Sequence, residues 1–321
     1  MKKILALVMA AVLALCACGT VLADDKPVIG IIQQMDHFAL NSARDGFVQA
    51  LADNGYVDGE SVTLDYQNGQ GDQSNLSTIA DRFVAEKADL VLAIATTAAT
   101  TMAGKTVDIP ILGTAITDYV AARLVDSNEK PGWNVSGTSD MNPVSEQIAL
   151  LHELAPEAQT VGVVYTGGEV NSVLQAQMAR EAIEALGLAY IEVTVTGTND
   201  VQQAMQQICG ECQAIYIPTD NVFASSMPIV YGVAVENGIP VITGESGMAK
   251  AGGLATLGIS YYDLGYQTGL MAVQVLQGAN VAEMPVQFAN SGFEYAVNRT
   301  FADEIGLEIP EKYLPCVFEM E

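Results

Sequence analysis

Short apolar runs alternate with longer segments of helical spacing along nearly the whole chain, and the alternation begins afresh near the middle. Segment 28–32 is continuously apolar, as expected of a strand covered on both faces. Segment 43–55 carries Phe47, Val48 and Leu51 at helical spacing and closes on Gly55. Strands follow at 62–66, 90–94 and 109–112, with helices over 74–87 and 98–103 between them. The second round reads as strands at 160–165, 189–195, 214–217 and 241–242, with helices at 173–186, 201–209 and 227–236. Such alternation predicts an α/β protein with doubly wound parallel sheets, and its repetition predicts two similar lobes. Segment 128–143, with Pro131, Gly132 and Gly137, is the expected first crossing between them. After a strand at 254–259, a helix over 263–276 is expected to return to the first lobe, and 285–297 to cross again through a multi-strand hinge. The expected division is 27–138 plus about 263–290 for lobe 1, and 139–262 plus about 291–318 for lobe 2.

Residues 1–23 stand outside this pattern. Lys2 and Lys3 precede an apolar run over 4–15, too short for the roughly 20 residues of a spanning helix. A charged start, a short apolar stretch and small residues are the layout of a secretory signal peptide. Leu15-Cys16-Ala17-Cys18 resembles a bacterial lipobox, which makes Cys18 the expected lipidated residue and 19–26 a tether. Cleavage after Ala23 is the alternative, with Val21 and Ala23 as the small positions. The expected location is extracytoplasmic, either lipid-anchored on the outer face of the membrane or periplasmic. No second apolar stretch reaches spanning length, so the lipid would be the only anchor. The leader removes two lysines and no acids, taking the formal charge from −25 to −27. So acidic a chain is a poor ligand for nucleic acid and for anionic lipid.

In parallel sheets ligands gather at the carboxyl ends of strands. The residues there are Gln33 to Phe38 (with Gln34 and His37 among them), Thr96 and Thr97, and Thr117 and Asp118 in the first round. The second round supplies Tyr165 to Ser172 (with Glu169 and Asn171), then Thr219, Asp220 and Asn221, then Glu245; Ser139 and Asp140 fall near the crossing. Hydroxyls, amides and carboxylates fill these tips, and Lys and Arg are nearly absent from them. A phosphate or dicarboxylate would draw Arg or Lys. A small zwitterion fits better, with its carboxylate on helix N-terminal N–H groups and its ammonium on Asp or Glu. Each tip residue also suits a plain helix cap.

Enzyme templates fit poorly. His37 and His152 are far apart in sequence, and spacing alone leaves a Ser-His-Asp unit open, but no Gly-x-Ser-x-Gly elbow precedes a helix. Gly104-Lys105-Thr106 lacks the upstream glycine of a P-loop, and the lone Gly30 makes no dinucleotide fingerprint. Cys209 and Cys212 form a Cys-x-x-Cys at the end of a helix rather than at a helix start, so a local disulfide or two quiet thiols is expected over redox chemistry. No cofactor, metal or catalysis is expected.

Several phrases at these tips resemble the ABC-transporter substrate-binding proteins of the tryptophan/tyrosine type. They are Tyr66-Gln67-Asn68 with Gly71-Asp72-Gln73-Ser74-Asn75-Leu76, Leu92-Ala93-Ile94-Ala95-Thr96, and Val135-Ser136-Gly137 with Ser139-Asp140-Met141. Ile217-Pro218-Thr219-Asp220-Asn221, Ala255-Thr256-Leu257-Gly258-Ile259 and Tyr262-Asp263-Leu264-Gly265 complete the set, so the likeness spans about 27–310. The resemblance implies a type I periplasmic-binding-protein fold that closes on an amino acid, aromatic by preference. It implies ABC permease and ATPase subunits as partners and a monomeric receptor. Thr96 and Thr97 would hold the ligand carboxylate, and Asp220 and Asp140 the ammonium. Thr117, Asp118, Thr219 and Asn221 would complete the polar shell, and His37, Phe38, Tyr165 and Glu169 would shape the side-chain pocket. A receptor of the same fold feeding a sensor, or one binding a different small polar solute, is the alternative.

Overall fold

The computed structural model describes residues 26–320; Cys18 and the expected leader lie outside them. In chain order the strands are β1 (Val28–Gln33), β2 (Thr63–Asn68), β3 (Leu90–Ile94), β4 (Ile111–Ile116), β5 (Val135–Ser139), β6 (Thr160–Thr166) and β7 (Ala189–Val195). They continue as β8 (Ala214–Ile217), β9 (Val241–Thr243), β10 (Ala255–Gly258), β11 (Gln287–Phe288), β12 (Glu294–Asn298) and β13 (Val317–Phe318). One sheet has six strands in the order β11-β5-β4-β3-β1-β2, the other seven in the order β13-β12-β10-β9-β8-β6-β7. Pairing is parallel throughout except between β10 and β12. The expected architecture of two parallel-sheet α/β lobes is what the chain adopts.

Continuous apolar strands are explained by cover on both sheet faces. Ile29 and Ile31 of β1 and Leu90, Leu92 and Ile94 of β3 join Phe47 and Leu51 of helix Phe38–Asp53 in one core. Ile32, Val91 and Ala93 face the opposite core, with Leu76 and Phe83 of helix Gln73–Glu86. Helix Tyr261–Leu276 follows the second round in sequence, yet supplies Leu264, Met271 and Ala272 to the first core.

The chain passes between the sheets at 140–143, 259–260 and 289–293. The first passage is shorter than the expected 128–143, because Val135–Ser139 is a buried strand of the first sheet. Its small hydroxyl residues are satisfied internally: Ser136 Oγ donates to the Met284 carbonyl at 2.6 Å, and Thr138 Oγ1 bonds Thr268 Oγ1 at 2.7 Å. Helix Phe38–Asp53 begins five residues before the expected 43, with His37 at its cap making no side-chain cap bond. Cys209 and Cys212 are free and buried, and burial pushes their thiols up to about 11 and 12. A redox role would need a depressed pKa. Among the described residues no helix is long and apolar enough to cross a membrane.

Candidate functional site

Residues that follow the carboxyl ends of strands in both sheets line one cavity: His37 after β1, Thr117 after β4, Asp140 after β5, Asn171 after β6, Asn221 after β8 and Glu245 after β9. The space between them is about 10 Å³, room for about one water, so the lobes stand closed against each other. Three side-chain hydrogen bonds cross from lobe to lobe. Gln34 Nε2 donates to Glu169 Oε1 at 3.2 Å, His37 Nε2 meets Asn221 Oδ1 at 3.1 Å, and Gln175 Nε2 donates to Thr117 Oγ1 at 3.2 Å. Ala95 and Ala115, at the tips of β3 and β4, hold left-handed φ values of 82° and 55°, a strained setting common at functional sites.

The electrostatics are one-sided. Among the described residues the buried charged side chains are Asp140, Glu169, Asp220 and Glu245; no Lys or Arg is buried with them, and the exposed Lys250 acts on Glu245 alone from outside. Asp220 accepts from Thr166 N–H (2.6 Å), Thr166 Oγ1 (2.9 Å) and Phe223 N–H (2.9 Å), capping helix Asn221–Ser225. Glu245 caps helix Ser246–Ala251 by accepting from the N–H groups of Gly247 and Met248. Glu169 Oε2 accepts from Asn221 Nδ2 (2.7 Å), Asn171 Nδ2 (3.1 Å) and Asn221 N–H (3.2 Å). Asp140 accepts from the Tyr261 hydroxyl on Oδ2 at 2.6 Å, the Thr117 hydroxyl also stands near its carboxyl, and Oδ1 has no hydrogen bond of ordinary length. Burial raises all four, Glu169 to about 7 with the Asp220 charge adding to the rise, and Glu245 to about 7. Burial lowers His37 to about 4 against its Asn221 bond and the Asp36 charge, so its ring is neutral near pH 7.

Buried acceptors without donors gather here. Gln34 Oε1, His37 Nδ1, Asp140 Oδ1, Asn142 Oδ1 and Asn171 Oδ1 are enclosed and unpartnered. A buried polar atom left unpaired costs roughly 1–3 kcal/mol. Three of them, on His37, Asp140 and Asn171, line the cavity itself, and beside the buried carboxylates they suit a ligand rich in N–H donors and positively charged at one end.

Not every expected residue reaches this cavity. Ser139 sits just behind it, donating to the Thr117 carbonyl at 2.7 Å, and Ser172 is buried against Asn171. Thr96 and Thr97 open helix Thr96–Ala103 on the lobe 1 wall but do not line the cavity. Asp118 caps its own turn, accepting from Val120 and Ala121 N–H. Tyr165 is a correction: its ring belongs to the second core, and its hydroxyl donates to Glu192 on β7 at 3.2 Å. Strand residues alternate between faces, and it is the next residue, Thr166, that grips Asp220. Phe38 is a second correction: it is 52% exposed and lies under the Lys250 ammonium, 5.1 Å from the ring centroid, outside the cavity. Sequence reasoning missed Tyr261 and Gln175. Gln175 is fully buried and also accepts from Thr219 N–H at 3.2 Å. Its signal was the spacing Asn171, Ser172, Gln175, a polar stripe on one helix face.

Two parallel-sheet lobes meeting on a polar cleft define a type I periplasmic binding protein. The chain belongs to the ABC transporter substrate binding protein family, whose profile matches residues 28–320. It is 43% identical over 258 residues to a tyrosine-binding protein of Clostridioides difficile, covering 80% of this chain and 75% of that one. An ABC domain from Streptococcus pneumonia in complex with L-Trp is 36% identical, superposes with a TM-score of 0.88, and covers 92% of this chain and all of that one. The ligand-free, open structure of a substrate binding protein with adhesive properties from Clostridium difficile is 43% identical, with the same coverage, but superposes only at 0.70. Higher identity with poorer superposition points to a different setting of the lobes, and this chain's setting is nearer that of the L-Trp complex.

Proposed function

We propose that the protein is the extracytoplasmic receptor of an ABC importer and binds one aromatic amino acid between its lobes. The observation that carries this reading is the cluster of buried carboxylates and unpartnered acceptors with no cation buried among them. An α-ammonium group satisfies it. In this reading Asp140 takes the ammonium, while Asp220 holds the second-lobe wall in place. Thr117 serves the carboxylate, and His37 and Asn221 face the side chain. The lobes, 27–138 with about 263–290 and 139–262 with about 291–318, move as units: they part to admit the ligand, since the cleft as it stands holds about one water, and contacts to both then favour closure around it. Lipid on Cys18 tethers the monomer beside its permease and ATPase subunits. The names of the tyrosine-binding relative and of the L-Trp complex support the aromatic assignment. Native mass spectrometry of protein purified from cells, followed by titration calorimetry, tests it. Tyrosine or tryptophan is expected to bind; no heat with either, or with phenylalanine, would sink the assignment.

A proton linkage follows. Glu169 and Glu245 stand near 7 against an ordinary 4.5, so their stabilising contribution is present below about 4.5 and is lost as pH rises through 7. His37 opposes them: lowered to about 4 from 6.5, it contributes stability above 6.5 that is lost as pH falls towards 4. With two carboxyls against one imidazole, the melting temperature of the ligand-free protein is expected to fall between pH 5 and pH 7. An ammonium in the cleft favours ionised carboxylates, so binding at pH 6 is expected to release protons. Calorimetry in two buffers of different ionisation heat reads this directly, and proton uptake would contradict it.

A further inference from the structure

The His37 ring has one N–H to give, and the fold fixes where it goes. Asn221 Nδ2 is committed to Glu169 Oε2 at 2.7 Å, which turns Asn221 Oδ1 towards His37. Oδ1 can only accept, so His37 Nε2 must carry the hydrogen and donate across the 3.1 Å contact. Nδ1 is then a bare acceptor, enclosed and without a partner on the cavity wall. It stands after β1, on the lobe 1 wall, whereas Asp140 and Tyr261 flank the passages between the lobes. His37, Asn221 and Asp140 line the same cavity, and in the amino acid reading, with the ammonium on Asp140, we take the side chain to run towards His37 and Asn221.

We propose that His37 Nδ1 selects the ligand by accepting a hydrogen bond from an N–H or O–H at the tip of its side chain, so that the receptor takes tyrosine or tryptophan and rejects phenylalanine. The inference rests on the amino acid reading above and deepens it. A hydrocarbon tip leaves Nδ1 desolvated and unpaired when the lobes close, whereas a phenol or indole donor satisfies it. Sites built around a buried acceptor discriminate by the penalty of leaving it empty rather than by shape alone. The neutral state of the imidazole near pH 7 keeps Nδ1 able to accept.

The test is calorimetry of the full mature chain with tyrosine, tryptophan and phenylalanine, on wild type, His37→Phe and His37→Gln. Wild type is expected to prefer tyrosine or tryptophan over phenylalanine by about ten- to a hundred-fold. His37→Phe, which has no acceptor, is expected to bring that ratio to within about three-fold of one. His37→Gln, which keeps an acceptor oxygen, is expected to recover part of it. Thermal melting of each ligand-free variant shows whether it is folded. An unchanged ratio in folded His37→Phe, or equal affinities in wild type, overturns the role of His37 and leaves the amino acid reading standing. Failure of wild type to bind any of the three overturns both.

Discussion

An Asp140→Asn protein is expected to melt no lower than wild type without ligand, yet to lose at least about a hundred-fold in affinity for its amino acid, roughly 3 kcal/mol. The two effects separate because the carboxylate does little for the fold. It is 2% exposed, and burial raises its pKa, so its charge opposes folding. The isosteric amide keeps the Tyr261 hydrogen bond through its oxygen, and the backbone N–H of residue 140 still donates to the Ile116 carbonyl at 3.1 Å. What the amide cannot do is offer an unpartnered anionic oxygen to an ammonium. Asp220 and Glu169 are poorer candidates, since three or more donors already fill each of them. Calorimetry and thermal melting on the same sample decide the point. Wild-type affinity in Asp140→Asn would remove Asp140 from the site.

Three of the four buried acids, Glu169, Asp220 and Glu245, were legible in the sequence because each follows a strand marked by an apolar run, whereas Asp140 follows β5, which carries no such run, and was placed only near the crossing. A residue one to three steps past a buried apolar strand stands at the sheet's carboxyl edge. What alternation does not encode is which face each tip residue takes. Tyr165 and Thr166 are adjacent, and the pleat sends one to the core and the other to the cleft. Phe38 fell outside for a different reason: it is the first residue of a helix that starts without a cap signal, and the helix start turns its ring towards Lys250. Gln175 and Tyr261 were missed because their partners, Thr117, Thr219 and Asp140, lie far away in sequence. Strand β5 was missed because small hydroxyl residues fill it, and its burial depends on bonds to helix Tyr261–Leu276 and to Met284. Local pattern thus carried the layers and the strand tips, while pairing across the lobes came only from the folded chain.

Gly265→Ala is expected to prevent lobe 1 from folding, with a loss of more than about 4 kcal/mol, the range of severe backbone overpacking. Helices Phe38–Asp53 and Tyr261–Leu276 touch backbone to backbone. A Cβ on Gly265 would stand 1.8 Å from the Ala43 carbonyl oxygen, and one on Gly46 would stand 2.0 Å from the Tyr262 carbonyl oxygen. Neither obstacle is a side chain that can rotate away, so the helices must part. Parting them opens the core around Phe47, Leu264 and Met271. It also shifts Tyr261, the first residue of the second helix, whose hydroxyl holds Asp140. Any residual folded fraction should therefore bind ligand poorly as well. Gly232→Ala separates this from a general cost of replacing glycine. Gly232 lies in helix Met227–Asn237 with nothing within 4 Å of a new Cβ, and alanine there is expected to stabilise by up to about 1 kcal/mol. Urea denaturation of both variants should give opposite signs. A Gly265→Ala protein that unfolds with the wild-type midpoint would show that the two helices can part without loss, and that the first lobe does not depend on this close approach.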